Sequence, residues 1–357
     1  MSNQTKILDS HIRHIITNIT QQNFEITAII LYGSYGRNEG SWYKNKDGDY
    51  QPYNDYDILL ILDKKQSTIK LNLLKKKLLE KIDIRWIDLG QKTIKELKKL
   101  RPSIFNYDLK YASKVISGQK NILENIPGID ASQLPLEEAN ILFRTRMWTF
   151  FGSLDENGFN SGLTGDASRF FRNQMAKAVL AVVDVCLLQK GKYHFSYKVR
   201  VKRFKKLYEY KKELNILCDW ALTEKMEPKA PEMDKGDVVN LYSKIHKIFI
   251  HEMYTAIGKR FLSKINKPEK LIYLWKYYPT NAIRRIIYFL INQSTKYEET
   301  IILNMVQLHI LMAYDKNKIK GKYLIKAIYL MKSIDSSVDL NSSWDKARMH
   351  VANLRLI

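Results

Sequence analysis

The sequence predicts an α+β protein, and three observations carry that reading. Helix and strand signals alternate through the first hundred residues. Two short runs, Ile26 to Leu31, rich in β-branched side chains, and Ile58 to Leu62, are apolar but for Thr27. After about residue 130 the apolar spacing is helical almost without interruption. The expected organisation is a mixed sheet with helices over residues 1–130, followed by an all-α domain over 131–357.

Taken in order, Ile7 to Ile19 carries apolar residues at helical spacing, and Ile26 to Leu31 is a strand ending in the Gly33-Ser34 turn. Ser41 to Asn54, rich in Gly, Asn, Tyr and Pro, reads as a long loop. Asp55 to Asp63 is a second strand. Leu71, Leu74 and Leu78 mark a helix, and Ile82 to Leu89 is a third strand. Pro135, Glu137 and Glu138 open a helix, and Asp166 or Ser168 caps the next, from Arg169 to Gln189. Further helices are expected over Val201 to Leu222, Asp237 to Arg260, Lys267 to Ser294, Glu298 to Tyr314 and Lys320 to Ile334. Gly152 to Gly165 and Glu227 to Gly236 read as connections.

Composition bounds the function. The 357 residues hold 59 Lys+Arg against 37 Asp+Glu, a net charge of +22, with 45% hydrophobic residues. This excludes a disordered chain, a collagen-like repeat and a small disulfide scaffold. Cys186 and Cys218 are the only cysteines, too few for a disulfide framework or a cysteine zinc site, and they suit a reducing, cytoplasmic compartment. No signal peptide or membrane span is expected. Much of the charge is spread evenly along a lysine-rich chain. One concentration stands out: Lys190 to Lys212 holds ten basic residues against Glu209 alone. Such a run attracts polyphosphate or nucleic acid, or forms a solvated helix face.

The chemistry-bearing segment is Leu31-Tyr32-Gly33-Ser34-Tyr35-Gly36-Arg37-Asn38-Glu39-Gly40, followed by Asn54-Asp55-Tyr56-Asp57. Residues two apart in a strand share a face, so Asp55 and Asp57 project side by side. Two such carboxylates repel unless a cation lies between them, and hard oxygen ligands suit Mg²⁺. Gly33 and Ser34 can aim backbone N–H groups and a hydroxyl at phosphates. A third carboxylate would complete a site for two Mg²⁺ ions. Asp83 and Asp88 have opposite parity on the third strand; Asp83 is preferred, with Asp88 as the alternative. Arg37 either touches phosphate or pairs with Glu39. On the Arg169–Gln189 helix, Asn173, Lys177 and Asp184 form one polar stripe. Tyr193, His194 and Tyr197 precede the basic run, where tyrosines beside cations can stack a base.

These motifs resemble the DNA-polymerase-β-like nucleotidyltransferase superfamily over about residues 25 to 90. The resemblance implies that Gly33 and Ser34 contact a nucleoside triphosphate, and that Asp55, Asp57 and Asp83 bind two Mg²⁺ as the catalytic centre. It further resembles members with a helical second domain, including aminoglycoside nucleotidyltransferases and template-independent RNA nucleotidyltransferases. That implies Lys177 as a triphosphate ligand and Asp184 as its orienting group or as a base near the acceptor. The expected reaction moves a nucleoside monophosphate, from ATP first, to an acceptor hydroxyl. A small-molecule acceptor is preferred over RNA, protein or another nucleotide. An inactive nucleic-acid-binding module is disfavoured, because the acids are present. Twenty residues separate Ser34 from Asp55, longer than the compact motif; the excess bears Trp42, Tyr43, Tyr50 and Tyr53.

Overall fold

The computed structural model describes residues 2–53, 55–84, 86–261, 294–315 and 318–356. It is α+β, with a small mixed sheet near the N-terminus and a helical C-terminal region. The chain divides into two compact units. The first holds Met1–Pro135, Leu187–Asn215 and Leu222–Lys229; the second holds Leu136–Cys186, Ile216–Ala221 and Ala230–Ile357. The division at 130/131 therefore misses two later stretches that pack with the N-terminal part.

In the first unit, α1 (Asn3–Thr20) precedes β1 (Ile26–Tyr32), and a single turn of helix, α2 (Gly33–Gly36), follows directly. Next come β2 (Trp42–Lys44), β3 (Tyr50–Pro52), β4 (Tyr56–Leu62), α3 (Thr68–Leu79) and β5 (Ile87–Lys92). The turn α4 (Ile94–Leu97), α5 (Ile104–Ala112) and β6 (Lys114–Gly118) complete the N-terminal stretch. The sheet order is β5-β4-β1-β6, with β4 and β5 parallel and the other pairs antiparallel.

Alternation sorts the sheet into two faces. Ile29 and Leu31 of β1, Tyr56, Ile58, Leu60 and Leu62 of β4, and Ile87 and Leu89 of β5 join Ile15 and Ile19 of α1 and Leu71, Leu74 and Leu78 of α3 in one core. Each fully buried Leu or Ile contributes about 1.5–3 kcal/mol. The intervening residues of opposite parity, Tyr32, Asp57 and Asp88 among them, belong to the other face.

Three expectations are corrected. Ser41 to Asn54 is no structureless loop: β2 and β3 pair as a hairpin with Trp42 opposite Pro52 and Lys44 opposite Tyr50, although Asn54 lies outside the described residues. The third strand runs from Ile87 to Lys92 rather than from Ile82 to Leu89. The helix expected over Val201 to Leu222 is two, α9 (Tyr197–Leu207) and α10 (Lys212–Met226), in chain order after the second unit's first helices. Tyr208 leaves helical geometry at φ −131° and breaks the run. Neither β6 nor the helix Trp344–Leu356 was expected.

The second unit is built from α6 (Glu137–Ser153), α7 (Glu156–Ser161), α8 (Gly165–Leu188), α11 (Lys235–Phe261) and the helices Ser294–Ala313, Gly321–Lys332 and Trp344–Leu356. The helix expected over Lys267 to Ser294 lies outside the described residues until its last position. Aromatic contacts run through a largely aliphatic core. Phe159 stacks on Tyr314 at 3.5 Å between ring centres, and Phe150 meets Tyr242 and Phe249. Trp344 is buried with its Nε1 donating to the Ile310 carbonyl at 3.1 Å. No helix among the described residues is long and apolar enough to cross a membrane.

Candidate metal and nucleotide site

Strand register assembles the acids. Tyr32 at the end of β1 lies opposite Asp57 of β4, and Asp57 in turn lies opposite Asp88 of β5. Asp55 precedes Asp57 by two residues, on the same side of the chain. Ligand oxygens of Asp55, Asp57 and Asp88 all lie within 4.8 Å of one another. Crowding is visible in the energetics. Burial first, and then the neighbouring charges of Asp55 and Asp88, push the Asp57 carboxyl up to about 8, against the weaker opposing pull of Arg37 and Lys225. The same acids, added to burial, push the Tyr32 phenol well above its usual range.

Asp83 is elsewhere. It is exposed in the stretch before β5, where Gln51 of the hairpin donates to it at 2.8 Å. The reason is register: β5 joins the sheet at Ile87, so the parallel pairing puts Asp88, not Asp83, beside Asp57.

The turn after β1 fits closely around the cluster. Gly33 has φ +64°, and a Cβ on it would lie 1.9 Å from Asp57 Oδ2. Backbone conformation and space thus both demand glycine, and the chain passes within touching distance of the carboxylate. Ser34 is largely buried in the next position, and its hydroxyl has no hydrogen-bond partner among the described residues.

Arg37, a candidate phosphate contact, is committed to structure. Its Nη1 donates to Asp108 Oδ2 at 3.0 Å, its Nε lies 3.4 Å from Glu39, and its guanidinium lies over the Tyr197 ring at 4.7 Å. Glu39, buried, in turn accepts from Ser196 Oγ at 2.7 Å and from the Tyr197 N–H at 2.8 Å, so it caps the start of α9. Tyr193 is buried and donates to Asp108 at 3.2 Å. Arg200 covers the Tyr197 ring at 4.0 Å as well. Neither tyrosine therefore presents a free ring for stacking a base.

Sequence reading missed Tyr32, Asp108 and Lys225. Lys225 is buried, and its Nζ donates to Ser41 Oγ at 2.9 Å while Ser41 Oγ donates to the Lys225 carbonyl. Ser41 is the root of the hairpin: its carbonyl accepts from Tyr35 Oη at 2.7 Å and from the Tyr53 N–H at 2.9 Å. No local signal links residues 184 positions apart. Tyr32 alone was findable, as the residue entering the Gly-Ser turn.

Lys177 and Asp184 belong to the second unit, on α8. Asn173 and Asp184 of that stripe are buried, so it is not a solvated face, and Lys177 is half-buried. No protein-family model matches the chain, and no curated protein matches it.

Proposed function

We propose that the chain is a Mg²⁺-dependent nucleotidyltransferase of the DNA-polymerase-β-like kind. It would move a nucleoside monophosphate from a triphosphate, with ATP the first to test, to the hydroxyl of a small-molecule acceptor. The observation that carries this reading is the convergence of Asp55, Asp57 and Asp88 beside a glycine that leaves no room for a side chain.

The donor set fits the cation. Three carboxylates with oxygens within 4.8 Å of one another are hard ligands whose repulsion a divalent ion relieves. When bound, Mg²⁺ would neutralise phosphate charge and hold the attacking and leaving oxygens in line. The chain's own part is positioning. Gly33 lets the triphosphate approach the backbone, and the Ser34 hydroxyl is free to donate to it. The acceptor oxygen bonds to the α-phosphorus as the bond to the bridging oxygen breaks, and pyrophosphate departs with that electron pair. The acceptor proton passes to Asp88, the most exposed acid of the three.

The test incubates the protein with each α-labelled triphosphate and Mg²⁺, separately with metabolite, RNA and protein fractions. Label should enter the metabolite fraction, and Asp55→Asn, Asp57→Asn and Asp88→Asn should each lose it. Label entering only RNA or protein would reassign the acceptor. Full transfer by Asp57→Asn would overturn the reading.

A further inference from the structure

The basic run Lys190 to Lys212 separates into two populations. Its arginines are structural: Arg200 is buried against Tyr193 and Tyr197, and Arg203 Nη1 donates to the carbonyls of Lys192 and Tyr193, both at 3.0 Å. Three of its lysines are not. Lys198, Lys202 and Lys206 are all exposed, and none of the three side chains has an acidic partner among the described residues. Their four-residue spacing puts them on one ridge of α9, about 6 Å apart along the axis. Val201 and Phe204, on the opposite side of the same helix, are buried in the first unit. The helix therefore docks by its apolar side and offers a line of uncompensated cations to solvent.

We propose that this ridge is a docking surface for single-stranded nucleic acid, a reading independent of the transferase chemistry. Charge complementarity with a phosphate backbone selects the class of partner. A bilayer needs an apolar helix face to insert, and α9 has already buried its own. Past the end of the helix the chain presents Tyr210, 74% exposed. An exposed aromatic ring beside a line of cations suits unstacked bases rather than a duplex.

The experiment measures anisotropy of a labelled oligouridylate over a salt series, with the whole protein. Wild type should bind with a steep dependence on log salt. Replacing Lys198, Lys202 and Lys206 together by Gln should leave the melting temperature unchanged and flatten the slope by about 2, at about 0.7 for each phosphate no longer neutralised. Tyr210→Ala should weaken binding about five-fold or more and leave the slope unchanged. A control triple, Lys76, Lys77 and Lys81 to Gln, removes the same charge elsewhere and should bind like wild type. Equal weakening in the control would show diffuse attraction and overturn the proposal. So would the absence of salt-dependent binding by wild type, or binding to anionic vesicles and not to the oligonucleotide.

Discussion

Within the first unit, two sets of acids are treated in opposite ways. Glu39 and Asp108 are neutralised: Arg37 pairs with both, Tyr193 donates to Asp108, and the start of α9 donates to Glu39. Asp55, Asp57 and Asp88 are set against one another, and the Asp57 carboxyl rises to about 8. The first arrangement joins distant chain segments. The second costs stability in the absence of a cation, a pattern expected of residues kept for binding rather than for folding.

The largest expected effect tests that opposition directly. Asp57→Asn should reduce transfer to background while raising the melting temperature of the metal-free protein, because the folded state no longer has to keep a buried carboxyl protonated at a pH where the unfolded chain ionises it. A fall in melting temperature would place Asp57 with the structural acids. Next in size, Glu39→Gln should cost about 3 kcal/mol in chemical denaturation, since it leaves Arg37 short of one buried ionic partner and removes the negative charge that accepts from the first turn of α9. A neutral result would show that the cap contributes nothing.

Smaller, and dependent on pH, is the contribution of the Asp57 proton. The folded metal-free protein holds it up to about pH 8, whereas an unfolded chain releases it near the ordinary 3.8. The folded state binds more protons between those values, so stability should fall as pH rises through that window. Asp57→Asn should flatten that part of a melting-temperature profile, and saturating Mg²⁺ should do the same in wild type. The smallest effect belongs to Asp83→Asn, which should stay within about 0.5 kcal/mol of wild-type stability and keep transfer intact, where Asp88→Asn loses it. The reverse order would return the third position to Asp83.

The contrast between those two residues shows how far the site could be read from sequence. Ile82-Asp83-Ile84 and Ile87-Asp88-Leu89 have the same apolar-acid-apolar pattern, so local sequence cannot rank them. Only the parallel pairing of β5 with β4, which begins at Ile87, decides between them. Asp55 and Asp57 needed no such information, because a two-residue spacing in a strand fixes a shared side whatever the neighbours are. Arg37 shows the limit from the other direction: its two open readings, phosphate or Glu39, were separated by partners that include Asp108, 71 positions away.

By itself the sequence determined the α+β class, the strands Ile26–Tyr32 and Tyr56–Leu62, most of the long helices, and the Gly33-Ser34 turn with its paired acids. All of these follow from periodicity and from backbone preferences acting over a few residues. The tertiary structure alone decided the third acid, the hairpin rooted at Ser41, the break between α9 and α10, and the return of 187–215 and 222–229 to the first unit. Each depends on a partner remote in sequence: a strand register, a buried lysine, or a carboxylate capping a helix that begins 158 residues later. Short-range pattern carries no information about which remote group will satisfy a buried charge or complete a sheet.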